Sequence, residues 1–147
     1  MGDFTLEIQI NQKPAVVFGY IADGTRTPEW YEAIQNTRKL TDGPTGQGTA
    51  FEFTRALPGQ GSVVNEVEVS EYQAPTAVTF SSVSGPTPFT YRYRVQPEGD
   101  RSRVVLEGSI TGEGLRGPAA LLAPMASKIF ERGMGKNLSV LKARLEA

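Results

Sequence analysis

The feature that most constrains the fold is a long apolar stripe in the last part of the chain. Between residues 118 and 146, apolar side chains recur at steps of three and four, the spacing of one face of an α-helix. The sequence therefore predicts an amphipathic helix of about 29 residues, roughly 43 Å long if unbroken. Pro124 is expected to kink it or begin a new turn, while Gly133 and Gly135 weaken its middle. The stripe comprises Leu121, Leu122, Met125, Ile129, Met134, Leu138, Leu141 and Leu145.

Before this stripe, the chain repeatedly alternates apolar and polar residues, which is the period of a strand with one buried face. Glycine- and proline-rich turns separate the later segments at hairpin-like distances, one of them at residues 57–61. Short links without intervening helices favour antiparallel pairing. The helix can then bury its stripe only on the concave face of the resulting sheet. The alternating segments begin at Phe4, Phe51, Val63, Val78, Phe89 and Val104.

Two short helices are predicted after the first strand. For the first, Asn11 is a candidate cap and Pro14 suits the first turn. The second covers residues 27–31, with Thr27 as its cap and Pro28 at its first position. The predicted fold class is therefore α+β, with a curved antiparallel sheet wrapped around a long C-terminal helix.

The composition excludes several kinds of site. The 147 residues include 15 basic and 16 acidic side chains, so no excess of positive charge attracts a nucleic acid. Cysteine and histidine are absent, which leaves only carboxylates as metal ligands and removes the usual proton-transfer side chain. We therefore expect no metal and no cofactor. Without a linker or repeat, a chain of this length should form one domain, residues 1–147.

The start of the chain and its hydropathy suggest where the protein acts. No signal-peptide pattern follows Met1, and no apolar run approaches the ~20 residues needed to cross a bilayer. The absence of cysteine fits a reducing compartment. The expectation is a cytoplasmic protein without a membrane span.

Four local motifs and the order of the elements carry a resemblance to a known family. The motifs are Tyr-Ile-Ala-Asp at 20–23 with Pro-Glu-Trp-Tyr at 28–31, Gly-Pro at 43–44, Ser-Arg-Val-Val-Leu at 102–106, and Asn-Leu at 137–138. With them the whole chain resembles the helix-grip, Bet v 1-like or START-like (SRPBCC) superfamily, in its bacterial polyketide cyclase/dehydrase and lipid-transport branch. The resemblance implies about seven strands, two short helices after the first strand, and a pocket for a small hydrophobic molecule. It implies no single chemistry, because such members include cyclases, dehydratases and lipid or quinone carriers.

Two tyrosines are the strongest candidates for the pocket. Tyr91 and Tyr93 share the parity of Phe89 and Val95, which places their hydroxyls inside the domain. A buried hydroxyl without a partner costs ~1–3 kcal/mol. A ligand or an enclosed water could supply the partner, as could the other tyrosine, Asn65 or the backbone.

Other polar and aromatic residues have two interpretations each. Trp30 and Tyr31 could form a gate or pocket wall, or they could fill the core. Asn65 alternates with buried valines, so its amide could orient a ligand carbonyl or support a local bulge. Arg55 has inward parity at a strand end and could meet a carboxylate or phosphate, although a solvated surface position is favoured. Arg92 has outward parity, which predicts cross-strand charge pairs on a wet face.

Two further patterns bear on chemistry. Gly112, Gly114 and Gly117 have the spacing of a dinucleotide fingerprint, but the chain ends without the second parallel strand that this site requires. They are better interpreted as a flexible connection between strand and helix. No acidic residue has clear inward parity, so a general base is not evident.

Three hypotheses for function follow. The first is a binding protein that holds a lipid, polyketide or aromatic compound in a pocket of roughly 300–1,000 Å³ between sheet and helix. The second is a polyketide cyclase or dehydratase, in which Tyr91, Tyr93 and Asn65 polarise a carbonyl. The third is a protein-interaction module with a closed core and an exposed apolar patch; homodimerisation is also open. The candidate ligand-binding residues are Trp30, Tyr31, Phe51, Phe53, Asn65, Val67, Tyr91, Tyr93, Leu106, Met125 and Ile129.

Overall fold

A computed structural model describes residues 2–57 and 61–147. The strands in this part of the chain are β1 (Gly2–Ile10), β2 (Ile34–Lys39), β3 (Ala50–Leu57), β4 (Gly61–Gln73), β5 (Ala77–Ser84), β6 (Phe89–Glu98) and β7 (Arg101–Ile110). The α-helices are α1 (Pro14–Ala22) and α2 (Ala126–Leu145), and two 3₁₀ helices cover Gly24–Glu29 and Gly117–Met125. Most of the turn predicted at residues 57–61 lies outside the described residues.

The seven strands form one antiparallel sheet in the order β1-β7-β6-β5-β4-β3-β2. The first and last strands are neighbours, and their register places Leu6 opposite Leu106. This is the helix-grip architecture expected for the α+β class. The residue patterns missed β2, since only Ile34 in it is buried and no apolar alternation marks it.

Helix α2 buries one face against the sheet, mainly against β1. Met134, Leu138 and Leu141 lie on this face and are almost fully buried. Burial of each such side chain stabilises the fold by about 1.5–3 kcal/mol. The end of α2 is tied to β1, because the Lys142 ammonium donates to the Gln9 carbonyl oxygen at 2.7 Å. This half of the predicted stripe is therefore part of the core.

The first part of the predicted terminal helix does not form an α-helix. A 3₁₀ helix occupies Gly117–Met125 and α2 begins only at Ala126, directly after Pro124 and Met125. Proline has no N–H to donate, and its ring clashes with the preceding turn. The new turn predicted at Pro124 is confirmed, and only 20 of the roughly 29 residues predicted to be helical form an α-helix.

Both predicted helix caps are also wrong. Asn11 is too far from the start of α1 at Pro14, where Lys13 occupies the cap position without a side-chain capping bond. The second short helix begins at Gly24, so Thr27 lies inside it. The Asp23 carboxylate is the actual cap and accepts the Thr25 backbone N–H at 3.1 Å.

The glycines after β7 serve close packing. A Cβ at Gly112 would lie 2.5 Å from the Ala123 Cα, and one at Gly114 would lie 2.9 Å from Pro86. All strand pairs in the described sheet are antiparallel, so the dinucleotide site has no scaffold here. The sequence predicts a flexible connection here. In the structure, Gly112 and Gly114 also allow neighbouring segments to approach closely, because a larger side chain at either position would clash.

Candidate functional site

Aromatic rings fill most of the space between the sheet and the first 3₁₀ helix. Trp30 meets Tyr93 edge-on, with ring centroids 5.9 Å apart at 85°, and Phe80 meets Tyr93 at 6.2 Å and 80°. They leave an internal cavity of about 20 Å³, which is about the space one water requires. The interior is therefore far smaller than the predicted 300–1,000 Å³. The cavity is lined by Thr27, Trp30, Tyr31, Ile34, Phe53, Phe80, Phe89, Tyr91 and Tyr93.

Arg55 lies behind this aromatic wall and is only 1% exposed. Its Nε donates to the Asn65 Oδ1 at 2.9 Å, and its Nη2 donates to the Pro86 carbonyl oxygen at 2.9 Å and to the Thr87 hydroxyl. The guanidinium carbon lies 5.4 Å from the centroid of the Phe89 ring. No carboxylate in the described part of the chain forms an ion pair with it. The favoured prediction of a solvated surface arginine is wrong.

The turn between β5 and β6 is shaped around Arg55 and Asn65. The Asn65 amide donates to the carbonyl oxygens of Ser84 and Pro86 at 3.1 and 2.9 Å. Gly85 has a φ of +105°, and a Cβ there would lie 2.6 Å from the Asn65 Nδ2. Thr87 has a φ of 49°, which is strained for a β-branched residue. Asn65 therefore positions Arg55 and the turn; it does not line the cavity.

The electrostatics of the site combine one cation with neutral hydroxyls. Burial lowers the pKa of Arg55, while the neighbouring Tyr31 and Tyr91 act in the opposite direction. Burial also raises the pKa of Tyr31, Tyr91 and Tyr93, so all three keep their protons at neutral pH. Among the described residues, the result is a buried positive charge next to neutral hydroxyl groups, without an anion to balance it.

Two buried polar atoms in the cavity wall have no hydrogen-bond partner among the described residues. They are the Trp30 Nε1 and the Tyr91 hydroxyl. Each unmade bond costs about 1–3 kcal/mol. Of the candidate partners for Tyr91, the Tyr31 hydroxyl is close enough to act on the Tyr91 pKa but forms no hydrogen bond of ordinary geometry with it. Asn65 is already occupied by Arg55 and by the turn. This part of the interior is therefore complementary to an acceptor oxygen.

A cleft of about 380 Å³ lies outside the cavity, between α2 and the segment before β2. Tyr31 lines both spaces. Across the cleft, the Asn137 Oδ1 accepts the Glu32 backbone N–H at 3.1 Å. The cleft is lined by Tyr31, Glu32, Ala33, Ala56, Ile129, Phe130, Gly133, Met134 and Asn137.

The predicted site residues fall into three groups. Five line the cavity: Trp30, Tyr31, Phe53, Tyr91 and Tyr93. Four more are fully buried but lie away from it: Phe51, Asn65, Val67 and Leu106. The last two, Met125 and Ile129, are 54% and 38% exposed and are not brought to the cavity.

Sequence reasoning missed several residues around the cavity. Phe80 and Phe89 line it and have the inward parity that could have identified them. Thr27 and Ile34 carried no such signal, because Thr27 lies inside the first 3₁₀ helix and Ile34 begins β2, a strand without apolar alternation. The predicted outward pairs are confirmed, since Arg92 contacts Glu71 at 2.8 Å and Glu107 at 3.1 Å.

Two observations concern metals and membranes. Within residues 2–57 and 61–147, no group of three or more acidic side chains is arranged to hold a metal ion. None of the helices described there combines the length and apolar character that a transmembrane helix needs.

Comparisons with known proteins agree with this architecture. The family profile described as polyketide cyclase/dehydrase and lipid transport matches residues 1–146. A START superfamily protein from Mycobacterium smegmatis is 14% identical, with a TM-score of 0.81 over 99% of this chain and 98% of that one. A protein from Thermus thermophilus is 18% identical, with a TM-score of 0.76 over 97% and 96%. The Zhui aromatase/cyclase from a Streptomyces species is 11% identical, with a TM-score of 0.77 over 98% and 93%. A sequence search of curated proteins finds no match.

Proposed function

The chain belongs to the polyketide cyclase/dehydrase and lipid transport family, and we propose that it binds a small apolar molecule that carries an acceptor oxygen. The observation that supports this most directly is the unpaired Tyr91 hydroxyl in an aromatic cavity, beside the buried Arg55. The ligand's ring or chain contacts the aromatic wall. Its oxygen accepts a hydrogen bond from Tyr91.

The positive charge of Arg55 favours an oxygen with negative character. A buried cation without a counter-ion is costly, and a carboxylate or phenolate nearby would reduce that cost. Charge-assisted hydrogen bonds are also about twice as strong as neutral ones. An aromatic carboxylate should therefore bind more tightly than the same hydrocarbon without the carboxylate.

Space for such a ligand arises when Tyr31 moves. The cavity of about 20 Å³ is too small, but Tyr31 in its wall also lines the cleft of about 380 Å³. Joined, the two spaces reach the lower end of the range for small-molecule sites. Gly133 lies in the cleft wall, and a Cβ there meets no atom within 4 Å. The variant Gly133→Leu should therefore fold but take up ligand poorly.

Ligand binding can be tested in two steps. Native mass spectrometry and organic extraction of the purified protein should detect a bound apolar compound. Displacement of anilinonaphthalene sulfonate should then be stronger with 2-naphthoate than with naphthalene, and Tyr91→Phe should weaken naphthoate binding roughly 10- to 150-fold, the value of one hydrogen bond to a charged group. If no compound co-purifies and naphthoate displaces no dye, the proposal is wrong.

A second candidate function is catalysis of the cyclase or dehydratase type. It is favoured by the same neutral Tyr91 hydroxyl, which beside Arg55 could polarise a carbonyl oxygen. No acidic side chain is among the buried residues described, so a base would have to come from the substrate or from water. On a polyketide-like substrate, Tyr91→Phe should then lower kcat far more than it raises KM. Equal losses would favour simple binding.

A further inference from the structure

The surface around the start of α2 exposes several large apolar side chains. Leu121, in the second 3₁₀ helix, is 82% exposed, Met125 is 54% exposed and Ile129 is 38% exposed. The rest of α2 behaves differently, since Leu138 and Leu141 are buried against the sheet. Isolated exposed leucines are ordinary, but these three apolar side chains recur at steps of four residues along one segment.

Basic side chains share this surface. Ile129, Arg132 and Lys136 follow each other at steps of three and four, so they lie on one outward face of α2. Lys128 lies one turn before Arg132 and is also exposed. We call the surface formed by Leu121, Met125, Lys128, Ile129, Arg132 and Lys136 the docking face.

From the docking face we infer that the protein binds the surface of an anionic lipid bilayer. Residues 117–136 contain three basic side chains and one acidic one, in a chain whose formal net charge is −1. Two copies joined symmetrically through this face would oppose like charges. The charge therefore selects an anionic partner over a second copy of this chain.

The mixture of side chains favours a bilayer over an acidic protein. On a lipid surface, the tips of Leu121, Met125 and Ile129 enter between the head groups, while lysine and arginine extend their stems and keep their charges at the phosphates. This arrangement needs no pocket in the partner, only a flat anionic interface. A helix with interleaved apolar and basic residues on one face is typical of such surfaces.

The location of the docking face connects it to the outer cleft. Ile129 belongs to the face and also lines the cleft next to Tyr31. A docked protein would therefore hold its cleft against the bilayer, where an apolar molecule is most concentrated. Lipid binding by the docking face does not depend on the proposed internal site, and each can fail without the other.

Vesicle flotation tests this inference with the full chain. The probes are vesicles of phosphatidylcholine with phosphatidylglycerol and vesicles of phosphatidylcholine alone. We expect binding to the anionic vesicles only, weakened by salt. The triple variant Lys128→Gln, Arg132→Gln, Lys136→Gln should bind about 100-fold more weakly, since each basic residue contributes about fivefold at such a surface.

A second variant and a matched control complete the test. The double variant Leu121→Gln, Met125→Gln should also lose binding while keeping every charge. The control Lys13→Gln, Arg101→Gln, Arg144→Gln removes the same net charge from exposed positions elsewhere and should bind like the unaltered protein. Failure of the unaltered protein to float with anionic vesicles would overturn the inference. So would an equal loss in the control, or a stable dimer that the Leu121 and Met125 changes abolish.

Discussion

Replacement of Tyr91 by phenylalanine should make the unliganded protein more stable. The hydroxyl is buried and has no hydrogen bond of ordinary geometry among the described residues. Burial raises its pKa and the nearby Tyr31 hydroxyl adds to this effect, but without a well-formed bond most of the lost hydration is uncompensated. Phenylalanine keeps the ring, which stacks on Phe89 at a centroid distance of 5.0 Å and lies 6.1 Å from the Phe4 ring. Removal of the uncompensated hydroxyl should raise the free energy of unfolding by about 1 kcal/mol, the lower end of the usual penalty.

Urea denaturation and thermal melting measure this change. A gain of about 1 kcal/mol should raise Tm by roughly 2–4 °C in a domain of this size. The matched control is Tyr20→Phe, because the Tyr20 hydroxyl does have a partner and donates to the Glu29 carboxylate at 2.8 Å. The control should be neutral or slightly destabilised. A loss of stability of about 1 kcal/mol in Tyr91→Phe would mean that the hydroxyl is satisfied in the free protein, and the argument for a ligand oxygen would fail.

Three other substitutions test the residues around the site and the solvent-exposed face of the sheet. Arg55→Met should lower the free energy of unfolding by about 2 kcal/mol in urea titrations, because it removes the donor to the buried Asn65 Oδ1 and to the Thr87 hydroxyl; a neutral effect would contradict this. Gly85→Ala should cost about 2–3 kcal/mol by the same measurement, more than Gly43→Ala, which has a similar φ of 87° but open space around the added Cβ. The hydrogen bond from Arg92 is the chief cause of the lowered pKa of Glu71. The ion pair therefore stabilises the folded state fully above the ordinary pKa of 4.5, and this contribution is lost as the pH falls through the lowered folded-state pKa. Arg92→Gln should therefore reduce stability at about pH 7 and change little at about pH 2; an equal loss at both would show that the ion pair is not the cause.

Most of the sheet could be predicted because one of its faces is buried and apolar. Strands such as β6, with Tyr91 and Tyr93 inside, leave a clear period of two in the sequence. The edge strand β2 leaves none, since most of its side chains are exposed. Periodicity also gave a wrong expectation for Leu121 and Met125, which have helical spacing but face outward. Spacing identifies side chains that share a face; it does not identify what that face contacts.

The candidate site was only partly predictable. Parity placed Phe53 and Tyr91 inside, and both line the cavity. Arg55 has the same parity, but a charged side chain usually favours a surface position. The groups that allow it to be buried lie on another strand and in a turn, so the sequence of its own strand does not reveal them. Asn65 lies ten residues away across a hairpin, and Thr87 lies 32 residues away. The volume of the cavity depends on how aromatic rings from several elements pack together. The sequence of a single strand does not determine that packing.

The pairing of β1 with β7 also determines how the fold can assemble. Gly2 lies opposite Ile110, so in an otherwise unfolded chain this ladder closes a loop of about 100 residues, at an entropic cost of about 4 kcal/mol. The cost is smaller once the intervening hairpins have formed. The hairpins from β3 to β7 need only local contacts and can form before it. During synthesis, β1 therefore emerges first but gains its partner late, and β7 has an open edge until then. Pulsed hydrogen exchange during refolding should show β1 amides protected after those of β4 to β6; protection in the reverse order would refute this sequence of events.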